Sequence, residues 1–337
     1  MKILITGAGG FLGARIVNSL LRAGEFDLRC QVREGRGVDK LRKIAVQAGA
    51  PALEIVPCNL LSEADTRRLV EGVELIVHAA AGTRGTPADM MLNTVVATRN
   101  LLDAAVAAKV RRVAMVSSFA VYQTESMDDG SLLDETSPVE QIGIAKGPYA
   151  YSKVRQEQLV VDYAQRFGID YVFIRPGVIY GDGGSAMSSR VGIRALGWFF
   201  SLGGACLIPF THADNCADAV VSGALKGAPR GIYNAVDGDL PTCAEYLRHY
   251  RRNVEKLRTV RLPYAVLLAG SRYLLAYSKR SKGQLPAILT PYIVRSMYRK
   301  LRYSNSALQA IGWRQSLPTE QGLAQLFAAL QEKHSLK

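Results

Sequence analysis

The sequence predicts an α/β fold, a doubly wound parallel sheet with helices on both faces, followed by a smaller and mostly helical C-terminal lobe. Three observations predict it. Short apolar runs alternate with helical patterns over the first two thirds of the chain, a glycine-rich turn separates the first such run from the first helical pattern, and the alternation stops near residue 241. Strands alternating with helices of this length form parallel sheets covered on both sides.

The elements follow in order. Residues 2–6 (Lys-Ile-Leu-Ile-Thr) read as a strand, Gly7 to Gly13 as a turn, and Phe11 to Ala23 as the start and body of a helix that Gly24 stops. Further strands are expected at 28–33, 53–57, 74–78, 112–117 and 170–175, with helices near 38–48, 62–71, 88–109 and 148–168. After Tyr180 the pattern loosens into Gly181-Asp182-Gly183-Gly184-Ser185, and a helix near 214–227 and a strand near 231–236 return to the main sheet. The expected organisation is therefore a Rossmann-type nucleotide-binding domain at 1–180 with 211–236 returning to it, and a substrate lobe at 181–210 and 237–337.

Composition excludes several classes. Of 337 residues, 48% are hydrophobic and 21% charged, with no repeat or low-complexity tract, which is the balance of a compact globular protein. Cys30, Cys58, Cys206, Cys216 and Cys243 are odd in number, widely spaced and without a C-x-x-C pair, so neither a disulfide framework nor a metal site is expected. The apolar run after Met1-Lys2 is too short for a signal-peptide core, and a cytoplasmic setting is expected. The net charge of +13 lies wholly at the end: residues 241–337 hold 17 Lys/Arg against 4 Asp/Glu, whereas 1–240 hold 25 of each. Scattered surface cations explain this, as does a surface for a membrane or an anionic substrate; no nucleic-acid motif accompanies it, and no nucleic-acid partner is expected. The most apolar stretch, 262–277, is interrupted by Ser271 and Arg272 and falls short of the roughly 20 residues of a membrane span. A helix capping the substrate cavity is the favoured reading; an interfacial membrane helix over 262–282, with Lys279, Arg280 and Lys282, is the other.

A strand, closely spaced glycines and a helix can hold a pyrophosphate, because glycines let the backbone approach and the helix N-terminus offers free N–H groups. The spacing here is G-x-x-G-x-x-G at Gly7, Gly10 and Gly13, after Thr6. The second strand ends Cys30-Gln31-Val32-Arg33, with Arg36 close behind and no acid to bond a ribose 2′-hydroxyl, so NADP is favoured with NAD as the alternative. Tyr149 and Lys153 stand four residues apart at the start of an expected helix, on one face. The ammonium and the helix end are expected to bring the phenol below its ordinary pKa of about 10, fitting it for proton transfer in a C–O–H/C=O interconversion. Tyr151 and Arg155 repeat the spacing, but the strand at 112–117 ends in Ser117-Ser118, where open α/β sheets bind ligands, and this favours Tyr149.

In order along 1–235 these motifs resemble the extended short-chain dehydrogenase/reductase superfamily, also described as the NAD-dependent epimerase/dehydratase family. Besides the glycine turn, Val77-His78-Ala79-Ala80-Ala81 is similar to the family's H-x-A-A segment and Ser117-Ser118-Phe-Ala-Val121-Tyr122 to its S-S-x-x-V-Y. Arg175-Pro-Gly-Val-Ile-Tyr-Gly181 is similar to R-P-x-x-V-Y-G, and Phe210-Thr-His-Ala-Asp214-Asn-Cys-Ala-Asp218-Ala219 and Gly231-Ile-Tyr-Asn234 match two later signatures. The resemblance implies Ser118, Tyr149 and Lys153 as catalytic residues. It implies a cofactor lined by Gly7, Gly10, Phe11, Leu12, Gly13, Arg33, Asn59, Leu60, Ala79, Ala80, Ala81, Tyr149, Lys153, Pro176 and Val178, a small-molecule substrate, and a homodimer.

Departures from the family pattern narrow the chemistry. Asn59 replaces an acid, the N-V-x-G-T-x-N helix reads Thr94-Val-Val-Ala97-Thr-Arg-Asn100, and Val178 stands where many sugar-nucleotide enzymes have Asn. Phe119-Ala120 follow Ser118 where dehydratases carry Asp-Glu, which argues against dehydration. The C-terminal region, with Leu289-Thr290-Pro291-Tyr292, is similar to the 3β-hydroxysteroid dehydrogenase-like and ketoreductase branch. The expected function is an NAD(P)-dependent oxidoreductase acting on a secondary alcohol or ketone of a lipid- or sterol-like substrate. A sugar-nucleotide epimerase and a non-catalytic NADP-binding sensor are the alternatives.

Overall fold

The computed structural model describes residues 1–34, 36–50, 53–184, 187–280 and 289–335. Ser185 of the glycine-rich stretch and Lys282 of the basic segment lie outside the described residues. Seven parallel strands form the central sheet: β1 (Lys2–Thr6), β2 (Asp27–Val32), β3 (Glu54–Pro57), β4 (Leu75–His78), β5 (Arg112–Val116), β6 (Asp170–Pro176) and β7 (Gly231–Ala235). Their spatial order is β3-β2-β1-β4-β5-β6-β7. The chain reverses direction between β1 and β4, and the crevice outside the strand ends at such a switch point is where open α/β sheets take their ligands.

Strand residues alternate between two cores, which is why the strands read as continuous apolar runs rather than as polar–apolar alternation. Ile3 and Ile5 face one core with α1 (Gly13–Ala23), α2 (Val38–Gln47) and, from later in the chain, α7 (Ala213–Lys226). Leu4 faces the other, with α3 (Glu63–Leu69), α5 (Ala97–Ala107) and α6 (Pro148–Phe167). The helix expected near 88–109 begins as α4 (Pro87–Met91), opened by a Thr86–Asp89 capping box, and widens into one π-helical turn over Leu92–Val96 before α5. Such turns accommodate an extra residue and concentrate at functional sites.

Outside the sheet, Val178–Tyr180 pairs with Phe210–His212, and Gly192–Ala195, Trp198–Ser201 and Thr259–Arg261 form a small three-stranded sheet. The C-terminal region contains α8 (Cys243–Asn253), α9 (Tyr264–Arg280), α10 (Pro291–Met297), α11 (Ser306–Ala310) and α12 (Thr319–Ser335). Aromatic side chains, among them Phe199, Tyr246, Tyr250 and Phe327, fill the core of this lobe. Strands are present here too: besides Thr259–Arg261, Arg302–Tyr303 pairs with Leu132–Leu133. Residues 306–317 leave the lobe and lie against the nucleotide-binding domain. Leu308 and Trp313 enter its first core, the Trp313 indole N–H donates to the Asn215 carbonyl at 3.2 Å, and the Asn215 side chain bonds Leu317 through both its amide and its oxygen.

Trp313→Ala is expected to cost about 3–5 kcal/mol, the usual loss for a buried indole, measured by chemical denaturation. A loss below about 1 kcal/mol would mean that this stretch is not part of the core.

Candidate active site

The first glycines fold as they do because side chains would collide. Gly7 has a φ of +67°, and a Cβ on Gly13 would stand 2.1 Å from the Gly7 carbonyl oxygen. A Cβ on Gly7 would lie 3.0 Å from the Ala80 Cα, so Ala79, Ala80 and Ala81, which follow β4, border the turn. Helix α1 starts at Gly13 with Leu12 as a cap that supplies no side-chain acceptor and with no acid in its first turn. Its first N–H groups thus have no local carboxylate or hydroxyl to bond, and this cradle fits a dinucleotide pyrophosphate.

Two residues that sequence reasoning passed over hold the cradle in place. Gln31 accepts from the Gly7 N–H at 2.8 Å and donates to the Cys58 carbonyl at 2.7 Å, tying the turn to the ends of β2 and β3. Arg15 donates to the Phe11 and Asp182 carbonyls at 2.9 and 3.0 Å, while its guanidinium lies 4.5 Å from the Phe11 ring centre and pairs with Asp214. Of the residues predicted along the cofactor, Gly10 closes the turn onto Gly7, and Leu60 accepts from the Asn100 amide. Arg33 and Asn59 are exposed just beyond β2 and β3; Pro176 is buried at the end of β6, and Val178 follows it at the wall of a cleft.

A buried polar chain runs from the turn to the catalytic helix. The Thr6 hydroxyl and His78 Nδ1 are 2.7 Å apart, His78 Nε2 and the Thr98 hydroxyl 2.8 Å, and the Gln156 amide reaches Thr98 at 2.8 Å. Burial, with the Lys153 charge nearby, pushes His78 down to about 3, so its ring is neutral. Thr98 already gives its proton to the Thr94 carbonyl and Thr6 accepts from the Ala80 N–H, which assigns the His78 proton to Nε2. At the far end the Gln156 oxygen accepts from Lys153 at 2.9 Å.

The adjacent serines separate cleanly. The Ser117 hydroxyl donates to Glu157 at 2.5 Å, and the same carboxylate takes both arms of Arg175 at 2.9 and 2.7 Å; all three residues are buried. Ser118 instead accepts from the Ala120 N–H at 3.1 Å and shares a side-chain hydrogen bond with Tyr149. Lys153 is buried, donates to the Val116 carbonyl at 2.8 Å and is pushed down to about 8 by burial, with Glu157 opposing. Tyr149 departs from the sequence-based expectation. Burial raises its pKa and only the Ser118 hydrogen bond opposes, because the Lys153 ammonium is directed at Val116 and Gln156 rather than at the phenol. Tyr149 is therefore a phenol at neutral pH.

Ser118 and Tyr149 open into a cleft of about 710 Å³. Its walls include Phe119, Val178, Met187 and Phe210, with Ile293 and Met297 of α10 closing one side. Lys146 and Arg190 also border it, and both have protein partners: Lys146 donates to the Tyr122 carbonyl and lies 3.6 Å from Glu140, and Arg190 donates to the Met297 carbonyl at 2.8 Å. None of the described lining residues is a carboxylate. A second groove, of about 640 Å³ between α8 and α12, shares no residue with this site.

A parallel sheet with a glycine turn at its switch point, Ser118 just beyond β5 and Tyr149 and Lys153 on the helix α6 beside it defines an enzyme of the extended short-chain dehydrogenase/reductase type. The chain belongs to the NAD-dependent epimerase/dehydratase family, whose model matches residues 3–235. It is 25% identical to cinnamoyl-CoA reductase 1 of Petunia hybrida over 99% of this chain and 93% of that protein. It is 28% identical to 4-hydroxy-2-methyl-3-oxo-4-farnesyl-3,4-dihydroquinoline-1-oxide ketoreductase of Stigmatella aurantiaca over 71% and 69%. Among solved structures, the dTDP-glucose 4,6-dehydratase DesIV of Streptomyces venezuelae, a double mutant with NAD bound, superposes with a TM-score of 0.73 at 22% identity over 100% of this chain and 98% of that one.

The two serines give opposite expectations. Ser117→Ala should cost about 1–3 kcal/mol by removing a donor from a buried carboxylate, whereas Ser118→Ala should leave stability within about 0.5 kcal/mol and lower turnover at least about 10-fold. Thermal melts and initial rates of the two variants check this, and the reverse pattern would exchange the roles.

Proposed function

We propose that this enzyme interconverts a ketone and a secondary alcohol on an apolar, lipid-like substrate, with NADP favoured over NAD. The observation that carries the reading is the cleft: Ser118 and Tyr149 face a chamber walled in part by Phe119, Val178, Met187, Phe210, Ile293 and Met297, with no carboxylate among its described lining residues. Two relatives support it, since both are named as reductases and one of them as a ketoreductase. In this reading residues 1–180 and 211–236 hold the cofactor, and 181–210 and 237–337 enclose the substrate.

The nicotinamide, when bound, supplies or takes up a hydride. Ser118 and Tyr149 hydrogen-bond the substrate oxygen, which polarises the carbonyl and fixes its face. As the carbon–oxygen double bond becomes single, Tyr149 gives its proton to that oxygen and is then reprotonated from solvent. Lys153, cationic below about 8, donates to the Val116 carbonyl and to Gln156 and so holds α6, with Tyr149 one turn earlier, against the end of β5. Elimination of water would need a further acid after Ser118, and Phe119 and Ala120 offer none. An epimerase reading draws on Lys146 and Arg190, cations suited to a diphosphate, and differs in its stoichiometry: retained cofactor with no net consumption of NADPH. A sensor has no chemical use for Ser118, Tyr149 and Lys153 together.

Tyr149→Phe should lower turnover by about 10²–10⁴-fold, the usual contribution of a positioned acid, with cofactor affinity within about 2-fold of the parent; full activity in steady-state assays on a ketone panel would overturn the mechanism. The pH profile follows from the two shifts. Tyr149 is protonated below its raised pKa and Lys153 below about 8, so both are in the reductive form under pH 8. The kcat/KM for reduction should be flat from about pH 6 to 8 and fall above, and a rise between 7 and 9 would refute the assignment.

Arg33→Ala tests the cofactor. NADP affinity should fall at least about 10-fold through loss of a charge-assisted phosphate contact, with NAD affinity within about 2-fold, by fluorescence titration. Equal losses would mean that Arg33 does not read the 2′-phosphate.

A further inference from the structure

Helix α9 is apolar on the side that nothing in the described structure covers. Of its seventeen residues only Leu267 and Ser271, one turn apart, are buried. Tyr264, Val266, Leu274 and Tyr277 are exposed and Tyr273 is 71% exposed. A helix serving only to cap a cavity turns polar residues outward, whereas a contiguous exposed apolar face marks an interaction site.

The strand that leads into α9 continues the face. Register sets Ile193 opposite Phe200 and Phe200 beside Val260, so Ile193, Trp198 and Val260 share the side of the small sheet that points away from buried Phe199. All three are exposed. At the tip of the same hairpin Leu196 is 94% exposed and sits at a φ of +51°, a left-handed conformation that a leucine rarely adopts.

Charge identifies the occupant. Helix α9 carries Arg272, Lys279 and Arg280 and no acid, and Arg258 and Arg261 precede it. A second copy meeting this face across a two-fold axis would oppose like charges. An anionic bilayer complements them, and Tyr264, Tyr273, Tyr277 and Trp198 are the residue types that favour the lipid headgroup region. Helix α9 also packs against α10, which walls the active-site cleft.

We propose that α9, with the outer face of the 192–201 and 259–261 sheet, docks this protein on the surface of an anionic lipid bilayer. Docking stands or falls separately from the catalytic reading, because none of these residues belongs to the catalytic set. Cosedimentation with vesicles of phosphatidylcholine, and of phosphatidylcholine mixed equally with phosphatidylglycerol, tests it. Partition onto the anionic vesicles should exceed that onto the neutral ones by at least about 10-fold and fall as salt is raised.

The chain has two tryptophans, and Trp313 is 2% exposed against 45% for Trp198. In a Trp313→Phe variant, emission from Trp198 should shift to the blue on the anionic vesicles. A Tyr273→Glu, Leu274→Glu double variant should bind them at least about 10-fold more weakly while keeping its far-ultraviolet dichroism and cofactor affinity. Equal partition on both vesicles, or an unmoved Trp198 emission, would overturn the proposal. So would a dimer that dissociates in the double variant without any vesicle binding by the parent, which would assign the face to a second copy.

Discussion

The site depends on one buried carboxylate. Glu157 lies one helical turn beyond Lys153 on α6, and it takes two arms of Arg175 from β6 and the hydroxyl of Ser117 from the end of β5. The helix that carries Tyr149 and Lys153 is thereby fastened to two adjacent strand ends. Arg175 lies 4.8 Å from the Tyr122 ring centre, and Tyr122 donates to Asn234 of β7 at 2.6 Å, so the clamp reaches a third strand. Buried ion pairs of this kind add little net stability against an apolar replacement, but losing one partner strands a charge at a cost of about 3–5 kcal/mol. Their yield is geometry, here a fixed distance between the strand that presents Ser118 and the helix that presents Tyr149.

The polar chain from Thr6 through His78, Thr98 and Gln156 to Lys153 performs a second positioning task from the cofactor side. It threads a densely apolar sheet, and every link is satisfied by a donor–acceptor count that leaves the imidazole neutral. The π-helical turn contributes to it: buried Thr94 both accepts the Gly82 N–H and, through its carbonyl, takes the Thr98 proton. The glycine turn and Lys153 therefore share one connected set of bonds, which orients Lys153 in a buried position.

Much of this was legible in the chain. Alternating apolar runs placed the strands and helices of the first two thirds of the chain to within a few residues, because strands buried on both faces and helices with one apolar face leave local signals. Ser118, Tyr149 and Lys153 were legible as a motif; the structure brings Ser118 and Tyr149 to one cleft and buries Lys153 behind them on α6. What was not legible depends on contacts between distant residues. Gln31 looked like an unremarkable polar residue in a strand, yet it fastens the glycine turn; Trp313 and Asn215 are 98 positions apart. The direction of the Tyr149 shift failed for the same reason, since an i, i+4 spacing puts Lys153 on the right face but does not say that Val116 and Gln156 will take its protons.

The cleft draws its hydroxyls and its wall from different segments. Ser118 stands just beyond β5 and Tyr149 on α6, held by the Glu157 clamp. Part of the wall comes from 187–190 and α10, joined by Arg190 to the Met297 carbonyl and by the Tyr298 hydroxyl to the Ser189 carbonyl at 2.9 Å, and the stretch from α10 to Arg299 is tied as well to Thr124, Glu125 and Glu140. These bonds do not involve Glu157 or Arg175, whereas wall residue Phe119, next to Ser118, packs edge-on against the Tyr122 ring of the clamp at 5.6 Å. A sheet of this kind can thus support reductase, epimerase and dehydratase chemistry in different proteins, each set by what borders the same hydroxyl pair. Here the cations that border the cleft are already partnered and the position after Ser118 is a phenylalanine, both in keeping with the proposed half-reaction of one hydride and one proton.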